Sequence, residues 1–157
     1  YNFMKYFTFL SADEIDAIEV TDNASGTKPE AQSILARHVT ELVHGEKGLM
    51  AATRISEALF SGDINLLTSD DLQQLELDGL PCTSIAADSA GIVEVLVATE
   101  LAKSNKMARE FIGNSAVSVN GQLIHESDFQ FSAEKALQGQ YFVLKRGKKL
   151  FHLGKLT

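Results

Sequence analysis

Lys103, Ser104, Lys106 and Arg109, followed by Asn114, Ser115 and Asn120, bring cations and short polar side chains into one brief stretch of this chain. Farther on, Lys145, Arg146, Lys148 and Lys149 crowd around Gly147. Cations advancing by threes line one edge of a helix. The free amides at a helix start point further positive charge outward, which suits a phosphate. Asn and Ser side chains add neutral hydrogen bonds to sugar and phosphate oxygens. The chemistry these groups support is phosphate recognition, and a basic helix beside a basic hairpin forms a surface suited to folded RNA. Alone, Lys-Arg-Gly-Lys-Lys is an ordinary solvated turn and a three-spaced cation edge is common. Their coincidence in one compact module carries the reading.

The elements that must hold these groups are legible around them. Ser104 caps a helix reaching about Gly113, with Ala108, Phe111 and Ile112 facing inward. Met107 reads as a packing residue, and Glu110 as a local partner for Lys106. Val117-Ser-Val119 and Leu123-Ile124 flank Asn120-Gly121, the strongest short hairpin signal. Phe129 and Phe131 alternate inward, and Tyr141–Lys145 pairs with Leu150–Leu153 across Arg146-Gly147. Before them, Ser89–Leu101 places Ile92, Val93, Leu96 and Leu101 on one helical face.

The first half reads as helices. Asn2–Leu10 is apolar-rich and stops at Ser11. Ser11-Ala-Asp-Glu14 is a capping box opening a helix over Glu14–Val20, and Asp22–Gly26 is a polar loop. Thr27-Lys-Pro-Glu30 is a second capping box, with Pro29 in the first helical turn. Ala31, Ile34, Leu35, Leu42 and Val43 form a stripe ended by Gly45, and Leu49–Phe60 repeats it up to Ser61-Gly62. A short helix starts at Ser69, and Gly79-Leu80-Pro81 breaks the pattern. The expected class is α+β: residues 1–80 all-helical, then residues 81–157 a small module of two helices and an antiparallel sheet of about four to five strands.

The chain has 157 residues and a net charge of −7, but the charge is divided. Up to Leu80 five cations face fourteen acids; from Leu101 onward nine cations face four acids. Such asymmetry marks a nucleic-acid-facing end on an acidic body. Cys82 is the only cysteine, so no disulfide framework forms within the chain and a reducing cytoplasm is the expected location. No metal site is expected: His38 and His44 fall nearly on opposite sides of one helix, and His125 and His152 lack a partner nearby in sequence. The acids Asp13, Glu14, Asp70 and Asp71 sit at helix starts, where the dipole favours them. Nothing spans a membrane. Tyr1–Leu10 lacks the features of a signal peptide and reads as an interior helix of a longer chain.

Leu101–Ile124 closely resembles the RNA-binding module first recognised in ribosomal small-subunit protein four: a Ser-led basic helix, a short turn and a strand ending in Val-Asn-Gly. Tyr1–Ser11, Ala31-Gln32, Val39–Gly45, Gly48-Leu-Met-Ala-Ala52 and Arg146-Gly-Lys-Lys149 resemble the bacterial tyrosyl-tRNA synthetases, in the order of that family. The resemblance implies a helical anticodon-binding region, residues 1–80, followed by an RNA-binding domain, residues 81–157. It implies tyrosine tRNA as partner, gripped near the anticodon stem and long variable arm, with no DNA and no membrane. Carried over, the contacts are Lys103, Ser104, Lys106, Arg109, Asn114, Asn120, Lys145, Arg146, Lys148 and Lys149. The nucleotide-binding motifs of that family are absent here. The resemblance therefore implies no catalytic residue and no cofactor in this chain, with ATP and magnesium used by the parent enzyme. It also implies a monomeric fragment of a homodimeric parent. A stand-alone RNA-binding regulator and a protein–protein adaptor are the competing readings; salt-sensitive binding separates an RNA binder from an adaptor.

Overall fold

A computed structural model describes residues 1–87 and 90–157. Its elements run α1 (Asn2–Phe7), α2 (Ala12–Ser25), α3 (Ala31–Ser61), α4 (Ser69–Leu77), β1 (Cys82–Ile85), α5 (Ile92–Ala98), α6 (Asn105–Gly113), β2 (Val117–Val119), β3 (Gln122–Leu123), β4 (Tyr141–Arg146) and β5 (Leu150–Leu156). The order is the expected α+β one, helices first and then helices with a five-stranded sheet. Packing divides the chain into Tyr1–Thr53 and Arg54–Thr157. Composition and charge change later, at Leu80-Pro81; α4 nevertheless packs in the same unit as the sheet that follows it, through Leu72 and Leu75.

In the first unit, Ser11 opens α2 as its sequence dictates. Ser11 Oγ accepts from the Glu14 N–H at 3.3 Å, and the Glu14 carboxylate accepts from the Ser11 N–H at 2.8 Å. The Ser11 N–H bond to this carboxylate, with the Ser11 hydroxyl also donating to it at 2.8 Å, holds the Glu14 carboxyl below its ordinary value. The helix continues to Ser25 and ends on Gly26 at φ 60°, so Asp22–Ser25 is helix rather than loop. The expected capping box at Thr27–Glu30 does not form. Asp22 replaces it, accepting from the backbone N–H groups of Glu30 at 2.7 Å and Ala31 at 3.1 Å, and from the Tyr1 hydroxyl at 3.0 Å. A carboxylate is a stronger acceptor at a helix start than a hydroxyl, and the Thr27 hydroxyl donates to Ser25 Oγ instead. Pro29 consequently precedes α3 rather than entering its first turn. Gly45, at φ 70° and ψ 178°, interrupts the helical path where the sequence places a helix end. Met4 and Ile15 are buried, whereas Phe3, Tyr6, Phe7 and Phe9 remain exposed.

In the second unit the strand order is β1-β5-β4-β2-β3. The β2–β3, β2–β4 and β4–β5 pairs are antiparallel, as expected. The sheet is nevertheless mixed, because β1 follows directly on the Gly79-Leu80-Pro81 break, where no strand is expected, and pairs parallel to β5, Cys82 opposite Leu153. Four residues without clear alternation, paired to a distant segment, leave little local signal. Successive residues of β4 point to opposite faces. Phe142 and Leu144 pack with Ile92, Leu96, Ala108, Ile112 and Phe131. Tyr141 and Val143 pack with Ile55, Leu59, Leu72, Leu75 and Leu153. Phe131 is fully buried and Phe129 half-buried, with their rings edge-on at 5.2 Å. Burying a side chain of this size contributes roughly 1.5–3 kcal/mol.

Polar contacts fix α4 in this unit. Thr68 and Asp71 form its capping box. The buried Asp71 carboxylate also takes a bidentate fork from Arg54, at 2.8 Å from Nε and 2.6 Å from a terminal nitrogen. The Arg54 fork is the main reason the Asp71 carboxyl falls to about 2, with Thr68 adding to it. At the other end, Glu76 accepts from the Tyr141 hydroxyl at 3.1 Å and the Lys155 ammonium at 3.0 Å. Within the sheet, the buried His152 has Nε2 2.8 Å from the Thr83 hydroxyl, linking β5 to β1. Burial lowers its pKa, favouring the neutral ring. The expected helix start at Ser89 lies outside the described residues; α5 is described from Ile92, with Gly91 before it.

Candidate nucleic-acid interface

Helix α6 is built as its sequence requires. Ser104, in extended conformation, accepts from the Met107 N–H at 3.3 Å. Ala108 and Ile112 are buried, with Met107 and Phe111 packed beside them. The opposite edge carries Lys106 and Arg109; Lys103, expected on the same edge, instead precedes the extended Ser104 cap and lies outside the helix, and all three are exposed and without an ion pair among the described residues. Glu110 is likewise exposed and makes no ion pair with Lys106. Asn114 is exposed and ends the helix, its backbone N–H bonding the Glu110 carbonyl at 3.0 Å. Ser115 adopts φ 53°, with its hydroxyl 3.2 Å from His125 Nδ1.

The tip between β4 and β5 closes against the end of this helix. Gly147, at φ 62°, donates its N–H to the Ala116 carbonyl at 2.8 Å. Arg146 pairs with Val117 across the sheet. Its guanidinium lies 4.8 Å from the Phe111 ring centroid, a cation–π contact that joins α6 to the hairpin. Lys148 and Lys149 are exposed beside it. Phe111, Ala116, Arg146, Lys148, Lys149 and Leu150 line a concavity of about 370 Å³.

Two of the expected contacts stand apart from this cluster. Lys145 precedes Arg146 by one strand residue and therefore faces the other side of the sheet. Its ammonium lies 5.1 Å from the Phe151 ring, which meets Phe60 edge-on. Asn120 occupies the opposite end of β2, in a two-residue turn with φ 49°, followed by Gly121 at φ 80°. Its side-chain amide donates to the Lys135 carbonyl and its oxygen accepts from the Val143 N–H, both at 2.9 Å. Asn120 thus spends its polar groups on backbone. Gly121 backs onto the Gly62 carbonyl so closely that no Cβ fits between them.

Phe111 is the participant that sequence reasoning places only in the core. Its signal is faint: it lies at the edge of the apolar stripe, and its partner Arg146 is distant in sequence. Among the described residues, no group of three or more His, Cys, Asp or Glu side chains is placed to hold a metal ion. No described helix is long and apolar enough to cross a membrane.

Fold and site together define a small α+β module whose basic helix is pinned to a basic hairpin tip. Residues 71–154 match the family described as the tyrosine–tRNA ligase SYY-like C-terminal domain, and the chain belongs to that family. The chain is 59% identical over 153 residues to a tyrosine–tRNA ligase of Aliivibrio fischeri (strain MJ11), covering 98% of this chain and 36% of that protein. A tyrosine–tRNA ligase of Laribacter hongkongensis (strain HLHK9) is 51% identical with the same coverage. The chain thus spans about a third of the length of the curated relatives it matches. A solution structure of a tyrosyl-tRNA synthetase C-terminal domain is 35% identical, covering 64% of this chain and 100% of that one, with a TM-score of 0.46.

Proposed function

We propose that this chain is the tRNA-holding C-terminal part of a tyrosine–tRNA ligase. Its cationic face grips the backbone of tyrosine tRNA near the anticodon stem and long variable arm. In this reading, residues 1–80 form the helical anticodon-binding region and residues 81–157 the RNA-binding domain. The chain positions the tRNA and performs no chemistry. Aminoacylation, with ATP and magnesium, belongs to a class I catalytic domain outside this sequence, which also supplies the dimer contact of the parent enzyme. The fragment itself is a monomer, working in the cytoplasm.

One observation carries this reading. The Arg146–Phe111 contact joins α6 to the hairpin tip, while Lys103, Lys106, Arg109, Lys148 and Lys149 stay exposed and free of ion pairs among the described residues. Exposed, unneutralised cations on one module are what a phosphate backbone requires. The family to which the chain belongs supports tRNA as the nucleic acid.

A titration of the purified chain against tyrosine tRNA tests the proposal, with a tRNA lacking the long variable arm as control. Tighter binding to tyrosine tRNA is expected, with a log–log salt slope of about −0.7 to −0.9 per phosphate neutralised. Absence of binding to either RNA overturns it.

A further inference from the structure

We infer that the concavity between the α6 end and the β4–β5 tip is a nucleobase pocket. It takes one unstacked base of the bound RNA against the Arg146 guanidinium, while Lys148 and Lys149 hold the flanking phosphates. This deepens the proposed function and rests on it.

Two features of the site point to a base rather than to phosphates alone. The first is the wall. Phe111 and the side chain of Leu150 make it largely apolar, and Arg146 presents a planar cation already held by the Phe111 ring. Aromatic and guanidinium planes are the surfaces on which unpaired bases stack. A site for phosphate alone has no use for an apolar wall. The second is the rim. Lys148 and Lys149 are exposed, and no carboxylate lines the concavity. Its charge is therefore complementary to the backbone on either side of a splayed base. The volume of about 370 Å³ lies at the small end of ligand sites, which span about 300–1,000 Å³. That is room for one base.

Phe111 acts here as a positioning residue. Its ring holds the guanidinium in place at 4.8 Å, so the base meets a preformed cationic platform. The Gly147 N–H bond to the Ala116 carbonyl holds the tip at the same place.

The test separates stacking from charge in the intact chain, using tyrosine tRNA as probe. Arg146→Lys keeps the cation and loses the plane. It is expected to weaken binding about five- to 150-fold, in line with the worth of one stacked base, while the salt slope stays unchanged. Phe111→Leu keeps the apolar packing and is expected to weaken binding in the same sense without changing the slope; thermal melting checks that it folds. Lys148→Ala combined with Lys149→Ala is expected to flatten the slope by about 1.4–1.8. In the wild-type chain, the Arg146 Nε–H resonance should move upfield on adding tRNA, as the ring current of a stacked base dictates; a phosphate contact alone moves it downfield. Wild-type affinity in folded Arg146→Lys and Phe111→Leu, or a downfield shift, overturns the pocket and leaves tRNA binding standing. A wild-type chain that binds no tRNA overturns both.

Discussion

Reversing Lys106 and Arg109 to glutamate probes the cationic face without touching either core. Both side chains are exposed and make no ion pair among the described residues, so their loss removes no internal contact. Lys106 lies in the first turn of α6, where an acid is favoured by the helix dipole, so folding is not penalised. The binding cost follows from counterion release. Each phosphate neutralised contributes about 0.7–0.9 to the log–log salt slope, so losing two contacts flattens it by about 1.4–1.8. At about 0.1 M salt, that corresponds to roughly a fortyfold loss of affinity relative to the 1 M reference. Repulsion from the new carboxylates deepens the loss. Fluorescence anisotropy with labelled tyrosine tRNA across a salt series measures both quantities, and circular dichroism confirms the fold. A folded double variant with wild-type affinity and slope would refute the assignment of this helix edge to phosphate.

Other expectations concern what holds each unit internally. Asp71→Ala removes the Arg54 fork and the Thr68 capping box together, and should lower urea stability by about 2 kcal/mol. With Asp71 held at about 2, below its ordinary 3.8, its contribution is full above pH 4 and fades as pH falls toward 2. Acid titrations of stability should therefore be shallower in Asp71→Ala than in the wild type over that window. Gly121→Ala should cost about 1–3 kcal/mol, because φ 80° and the adjacent Gly62 carbonyl both resist a Cβ; an unchanged melting temperature would contradict the close approach. Asp22→Ala should accelerate amide exchange at Glu30 and Ala31, and unaltered exchange there would show that another group caps α3.

What the sequence made legible was local. The Ser11–Glu14 box, the Ser104 cap and the Asn120-Gly121 hairpin each depend on residues within a few positions, and each appears where its pattern falls. What escaped depends on distant partners. Asp22 outcompetes Thr27 for the start of α3 because the fold brings a carboxylate there. Strand β1 exists because β5 offers an edge, not because Cys82–Ile85 alternates clearly. In the candidate site, the exposed Lys106 and Arg109 edge of α6 follows from its spacing of three, whereas Lys103 falls before the cap and off the helix. The commitment of Asn120 to backbone does not follow from spacing, and neither does the cation–π contact of Arg146 with Phe111. The separation of Lys145 from Arg146 was within reach, since adjacent residues in a strand always face apart.

Strand β4 feeds two cores at once, and this governs which changes of length the protein can absorb. Inserting or deleting one residue between Tyr141 and Arg146 would send Phe142 and Leu144 to the face now filled by Tyr141 and Val143, spoiling both interiors in a single step. The turn at Gly147–Lys149 lies outside both cores. Beyond the Gly147 N–H bond to Ala116, nothing in either core fixes its length, so it can lengthen at little cost to folding. Innovation by insertion is thus confined to the tip, while the strand beneath it is locked in phase.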